Sequence, residues 1–210
     1  MADLQKRYDA GYPEPSATFM WWLGDTYAGN FGAARSRRLN PFKTYLDKGM
    51  IWANGSDFTV TPFPARYAIW SAVAREPLLG THGKQPFGSA ESVDVHTALR
   101  AVTLWAARQM FLEKKIGSIE PGKYADLAVW DRDIYTVPTA QLKDMECRMT
   151  IFNGKIVYQA DGPPLLLVRA MLAGLMAHGG LDGQRMLDRF LRLVEFSQQR
   201  KRFVSCWSAH

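Results

Sequence analysis

Asn153-Gly154 lies between two runs rich in β-branched and aromatic residues, MTIF before it and KIVYQ after it. A two-residue hairpin connection of the I′ type needs positive φ at both central positions, which Asn and Gly adopt at little cost. The stretch therefore predicts an antiparallel hairpin. Upstream, GSIEPGKYADLAVWD places Pro121 and Gly122 at the centre of a type II turn, with ADLAVW as the strand that follows. Residues 116–160 thus form an antiparallel β segment, and any fold for the whole chain must accommodate it.

The texture before residue 115 is different. SATFMWW is a β-rich apolar run, and GDTYAGNFGAA after it carries the glycines and the Asp25 of a loop, so a strand is expected to open into a loop here. In NPFKTYLDKG, Asn40 is expected as a helix N-cap, Pro41 as the first helical residue and Gly49 as the residue past the end, with Phe42, Tyr45 and Leu46 on one face. MIWAN then reads as a short strand buried on both faces. Strand, helix, strand is the parallel βαβ pattern.

A longer helix is expected after the GTHGKQPFGSAE loop, with Ser92 as N-cap and Val95, Leu99, Val102, Ala106 and Met110 at helical spacing. Beyond Tyr158, Pro163-Pro164 opens an apolar helix that Gly179-Gly180 closes, and Met186, Leu187, Phe190, Leu191 and Val194 form the stripe of another. Such stripes are packing faces far more often than cofactor sites.

Composition narrows the function classes. A chain of 210 residues with 47% hydrophobic content suits a soluble globular protein of about one domain. Net charge is +6, and half of that excess falls after residue 160. The one contiguous basic stretch, QQRKRF, reads as a solvated helix end, so no nucleic-acid partner is expected. Residues 165–177 are apolar but too few to span a bilayer, and they include Arg169. Cys147 and Cys206 are too far apart for a metal or disulfide spacing. With no signal-peptide pattern in MADLQKRYDAG, a cytoplasmic location is expected.

Asp57, in NGSDFTV, is the residue with most chemical promise. A carboxylate just past the C-terminal end of a parallel strand stands on the face where α/β barrels and open sheets assemble their active sites. The same residue also suits a turn or cap, because Ser56 and Asp57 both bond readily to nearby backbone N–H groups. The residues alone leave both readings open.

The order NPF, TYLDKG, IWANGSD, then a long helix ending in LRAVTLWAAR, then GSIEPGKYADLAVWD and TIFNGKIVY, resembles the C-terminal portion of the metal-dependent amidohydrolase superfamily. It is most similar to the amidohydrolase 3 branch, which includes N-substituted formamide deformylase-like proteins, and the likeness runs from about residue 15 to 159. This resemblance implies an α/β chain: over 1–115 the last two strands and helices of a (β/α)8 TIM barrel, with SATFMWW and MIWAN as strands seven and eight. It further implies part of a composite β-sandwich over 116–160, and a helical tail over 161–210 lying outside the likeness.

The resemblance also implies chemistry. The family hydrolyses non-peptide carbon–nitrogen bonds of small amide-type substrates with one or two divalent metals, zinc above all. In that scheme Asp57 ligates the metal and takes the proton of the water that attacks the carbonyl carbon. Trp21, Trp22 and Asp25, after the seventh strand, are candidates for the substrate pocket, the alternative being core tryptophans and a turn aspartate. The family's remaining ligands precede the stretch matched here, and His82, His96, His178 and His210 do not stand in their places. One carboxylate does not hold a zinc ion that needs about four protein ligands. The chain is therefore expected to be inactive alone. The alternative is a non-enzymatic interaction module, through self-association or pairing with an N-terminal half that covers open sheet edges.

Overall fold

The computed structural model describes residues 11–81 and 87–160. The helices expected after residue 163, the QQRKRF stretch, Cys206, His82, His178 and His210 lie outside the described residues. Of the described residues, the first compact unit contains 11–81, 87–123 and 134–144, and the second contains 124–133 and 145–160.

In the first unit SATFMWW is not a strand. It enters α1, Thr18–Phe31, whose buried positions include Met20, Gly24 and Ala28. Their four-residue spacing is a helix period, and a short apolar run is ambiguous between a buried strand and a buried helix until its length is known. Here the buried face continues through GDTYAGNF, the stretch expected as loop. Gly24 allows close packing, since a Cβ there would sit 3.4 Å from both Met20 Sδ and Pro77 Cβ. Gly32, at φ 81°, ends α1 and leads into the single turn α2, Ala33–Ser36.

Helix α3, Phe42–Asp47, forms where NPFKTYLDKG predicts it, with Phe42 buried and Tyr45 and Leu46 packed on the core. Gly49 lies past its end at φ 71°. The start differs, because Pro41 holds the N-cap position and no side chain caps the helix. Asn40 instead takes φ 51° and its Nδ2 donates to Ser16 O at 2.7 Å.

MIWAN is buried as expected, with Trp52 at 0% exposure, but it forms no strand. A strand requires a neighbour to complete its ladder. This segment lies among helices, and its amides find isolated acceptors: Ala53 N donates to Pro13 O and Asn54 N to Ala101 O. Side-chain packing holds it instead. The Trp52 ring stacks on Phe42 at 5.1 Å and meets Trp105 edge-on at 5.0 Å.

Helix α4, Ala65–Ala74, ends at Arg75, whose φ of 51° forms a left-handed cap. The long helix expected from Ser92 is two helices, α5 Val95–Val102 and α6 Leu104–Gln109. Asp94 is the N-cap in place of Ser92, its Oδ1 accepting from Thr97 N at 2.7 Å. The break falls at Thr103, whose ψ is −93° and whose hydroxyl donates back to Leu99 O at 2.7 Å, a bond that competes with helix continuation. The deepest face is Ala98, Ala101 and Trp105 rather than the expected stripe, and Met110 is exposed. Leu99 and Val102 flank the core half-buried.

The second unit is an antiparallel sheet in the order β1 (Leu127–Trp130), β2 (Cys147–Phe152), β3 (Lys155–Gln159). Asn153 at φ 47° and Gly154 at φ 73° make the predicted hairpin turn. Asp126 Oδ1 accepts from Asn153 N, and Ala125 O from Gly154 N. The Pro121-Gly122 turn, within the first unit, closes through Lys123 N to Glu120 O at 3.2 Å. Among the described residues no helix is long and apolar enough to cross a membrane.

Candidate functional site

Asp57 stands at the exit of the buried 50–54 segment, and Asn54 fixes that exit. Its Oδ1 accepts from Ala17 N at 2.9 Å and its Nδ2 donates to Ala68 O at 3.2 Å. Asn54 thereby caps the start of α1 from another part of the chain. Two residues on, Ser56 O accepts from the Thr61 hydroxyl, which bonds Thr18 Oγ1 at 2.6 Å. The 54–61 loop is tied at both ends to the first turn of α1.

Asp57 itself has φ 50° and an exposed side chain, and its carbonyl accepts from Val60 N at 2.7 Å. Among the described residues its carboxylate accepts no hydrogen bond, so the turn engages its backbone and leaves the side chain available. It opens onto a depression of about 480 Å³ lined also by Glu14, Pro15, Ser16, Phe19, Asn40 and Gly55. Glu14 Oε2 accepts from Gln109 Nε2 at 2.8 Å, which steadies the second carboxylate of this surface.

Asn40 is held from behind by Arg75. The Arg75 side chain is fully buried and donates to four carbonyls: Arg37 O at 3.3 Å, Leu39 O at 2.6 Å, Asn40 O at 3.1 Å and Phe87 O at 3.2 Å. Burial lowers its pKa to about 10, and the charge of Glu91 opposes that fall. Glu91 is itself buried, its oxygens accepting from Thr44 N and Thr44 Oγ1.

Trp21, Trp22 and Asp25 do not line this depression. Trp21 stacks on Tyr67 at 5.1 Å and meets Trp70 and Trp22 edge-on. Arg66 lies over Tyr67 and Lys143 over Trp70, continuing that aromatic row. Asp25 binds a loop: Oδ2 accepts from Leu79 N and Gly80 N, and Oδ1 from Thr81 N and the Thr81 hydroxyl. Partial burial works to raise its pKa, but the Thr81 hydroxyl and the three amides outweigh it and hold the carboxyl below its ordinary value.

No three His, Cys, Asp or Glu side chains gather into a metal site among the described residues. Among the described residues the carboxylates lining the depression are Asp57 and Glu14, and two carboxylates fall short of the ligand set a zinc ion requires. His96 lies elsewhere, its Nδ1 3.3 Å from the Tyr135 hydroxyl. Glu14, Ser16 and the packing role of Arg75 gave no signal in the sequence. Asn40 did give one, but as a helix cap.

Comparison with known proteins places these residues in context. The family profile described as Amidohydrolase family matches residues 5–158. YtcJ of Bacillus subtilis (strain 168), which carries an amidohydrolase name, is 32% identical over 128 residues, 61% of this chain and 24% of its own. N-substituted formamide deformylase of Arthrobacter pascens is 32% identical over 60% of this chain and 22% of its own. A 5-methylthioadenosine/S-adenosylhomocysteine deaminase of Thermodesulfovibrio yellowstonii is 35% identical over 31% of this chain. The chain thus spans about a quarter of the length of the first two relatives. Among solved structures, an amidohydrolase from Thermotoga maritima MSB8 shares 22% identity over 57% of this chain and 26% of its own, with a TM-score of 0.41, too low to bear on the fold.

Proposed function

Because this chain belongs to the amidohydrolase family, we propose that it carries one segment of a hydrolase acting on non-peptide carbon–nitrogen bonds of small amide-type molecules. Asp57 is the catalytic residue it contributes. The observation that carries the reading is the free, outward carboxylate of Asp57 at the rim of a depression, within the stretch that the family profile matches. A carboxylate so placed accepts a proton from a water attacking a carbonyl carbon, provided other groups position that water. Glu14 and Asn40 supply a second acceptor and an amide on the same surface.

The described residues do not assemble a metal site, so the divalent ion of the family, zinc foremost, requires ligands from elsewhere. Alone, this chain is inactive and takes up little metal. A second copy or a further amidohydrolase segment completes the site. Phe58 and Val60, immediately after Asp57, are 64% and 47% exposed, as expected of side chains that a further segment covers.

The test is the zinc content of the purified 210-residue chain after equilibration and removal of excess, with its mass in solution and its hydrolysis of simple N-substituted amides. Less than about a tenth of an ion per chain and no turnover are expected. About one ion per monomer, with hydrolysis that disappears in Asp57→Asn, would overturn the incompleteness while keeping the role of Asp57. Hydrolysis unchanged in Asp57→Asn would remove Asp57 from the chemistry.

A further inference from the structure

We propose that Arg75 is a positioning residue for the Asp57 depression, acting through Asn40: from the core it fixes the 37–40 turn so that Asn40 stands in the wall beside Asp57. This rests on the reading of that depression as the functional site.

The first support is the use of a buried charge where an apolar side chain would be cheaper. Removing a guanidinium from water is unfavourable, and its attraction to a partner often fails to offset that loss of hydration. Arg75 is fully buried, yet three of its four hydrogen bonds go to the carbonyls of one short turn, Arg37, Leu39 and Asn40. The planar fork of arginine suits this, since it offers several donors in fixed directions. The same turn is packed against the 87–88 segment, which Arg75 also bonds through Phe87. Gly88 lies so close that a Cβ there would be 2.0 Å from Arg37 O, and the Arg37 guanidinium sits 5.6 Å from the Phe87 ring centre.

The second support is the bonding that this turn selects. Asn40 at φ 51° and Asp57 at φ 50° both occupy the left-handed region, which Asn and Asp adopt more readily than other side chains, and both line the depression. Asn40 gives up the helix cap that its sequence position offers. Its amide goes to Ser16 O, also in the lining, so one residue joins the Arg75 hub to a second residue of the depression.

Nuclear magnetic resonance on the isotope-labelled full chain tests this without metal or substrate, so it can fail or succeed independently of the zinc and hydrolysis assays. In Arg75→Met, exchange of the Asn40 side-chain amide is expected to quicken about tenfold. The Ser16, Ala17, Asn40 and Asp57 signals are expected to move while that of Ala101, whose carbonyl accepts from Asn54 N, stays in place. Arg75→Lys keeps the charge without the fork and is expected to restore less than half of the change. Unmoved Asn40 and Asp57 signals in a folded Arg75→Met protein, or a uniform loss of protection everywhere, would overturn the proposal, as would full rescue by lysine. Should Arg75→Met not fold, Asn40→Gly decides. It keeps the left-handed turn and the Arg75 acceptor but loses the bond to Ser16, so it must shift Ser16 and Asp57, and their staying as in the wild type would overturn the proposal.

Discussion

Replacing Asn54 by alanine tests whether the buried 50–54 segment is held by side-chain bonds in place of a ladder. The side chain is 8% exposed and has two partners, Ala17 N at 2.9 Å and Ala68 O at 3.2 Å. Ala17 is fully buried, so truncation strands an amide at the start of α1 with no water to replace the lost acceptor. Leaving the Ala17 amide unsatisfied costs about 1–3 kcal/mol, and the longer bond to Ala68 adds about 0.5–1.5, giving a total of about 3 kcal/mol. For a chain of this size each kcal/mol lowers the melting temperature by about 2–4 °C, so Asn54→Ala should melt roughly 6–12 °C below the wild type. Circular dichroism with urea unfolding measures it, and the m-value should stay unchanged if only the native state is affected. Asn54→Asp, which keeps an acceptor for Ala17 but loses the donor to Ala68, should retain the α1 amide protection that alanine loses. A fall of less than about 2 °C in Asn54→Ala would refute this account and leave packing by Trp52 as the sole anchor.

The remaining predictions use other parts of the first unit. Asp25 has a depressed folded pKa, so its contribution is full above the unfolded value and is lost as pH falls through the folded one. The stability gap between wild type and Asp25→Asn should therefore be constant at neutral pH and begin to narrow as pH falls below the ordinary carboxyl value of 3.8, and a gap that did not narrow on acidification would contradict the loop clamp. Gly88→Ala should cost about 3 kcal/mol or more, because positive φ and overlap with Arg37 O add together. Gly49→Ala, also at positive φ but with nothing within 4 Å, should cost about 1 kcal/mol, and equal losses in thermal melts would show that overlap is not decisive. Trp52→Ala should cost about 3–5 kcal/mol, read by urea unfolding, since the ring is fully enclosed between Phe42 and Trp105.

Local chemistry was legible in the sequence where it decides the backbone by itself. Asn153-Gly154, Pro121-Gly122 and Gly49 each dictate a turn through their own φ preferences, and each forms where expected. Signals that depend on partners misled. SATFMWW has the composition of a strand, but burial of Gly24 and Ala28 further along extends the apolar face as a helix. MIWAN has the apolarity of a central strand, but a strand exists only beside another. Asn40 and Ser92 are good caps by residue type, but Ser16 O claims the amide of one and Asp94 outcompetes the other two residues later. Leu99 and Val102 of the expected stripe do pack on the core, but Ala98 and Ala101 lie deeper, and beyond the break at Thr103 it is Trp105 and Ala107, not Met110, that are buried.

The site follows the same division. Asp57 could be singled out from its own neighbourhood, because a carboxylate after an apolar run ending in Asn-Gly-Ser marks the chain's return to solvent. Glu14, Ser16 and Asn40 could not, since each reaches the depression only through a distant residue: Glu14 through Gln109, Ser16 through Asn40, and Asn40 through Arg75. The rim around Asp57 is held by bonds within the first unit, through Asn54, Thr61 and Arg75, and does not wait for a metal to order it. A further segment that bound here would meet an Asp57 backbone already set in position, with little backbone entropy left to lose on that side. Added zinc alone should then leave the melting temperature of this chain unchanged, while a complementing segment that binds should raise it in proportion to its concentration over its dissociation constant. Stabilisation by zinc in the absence of any second segment would mean that the chain already possesses its own ligand set.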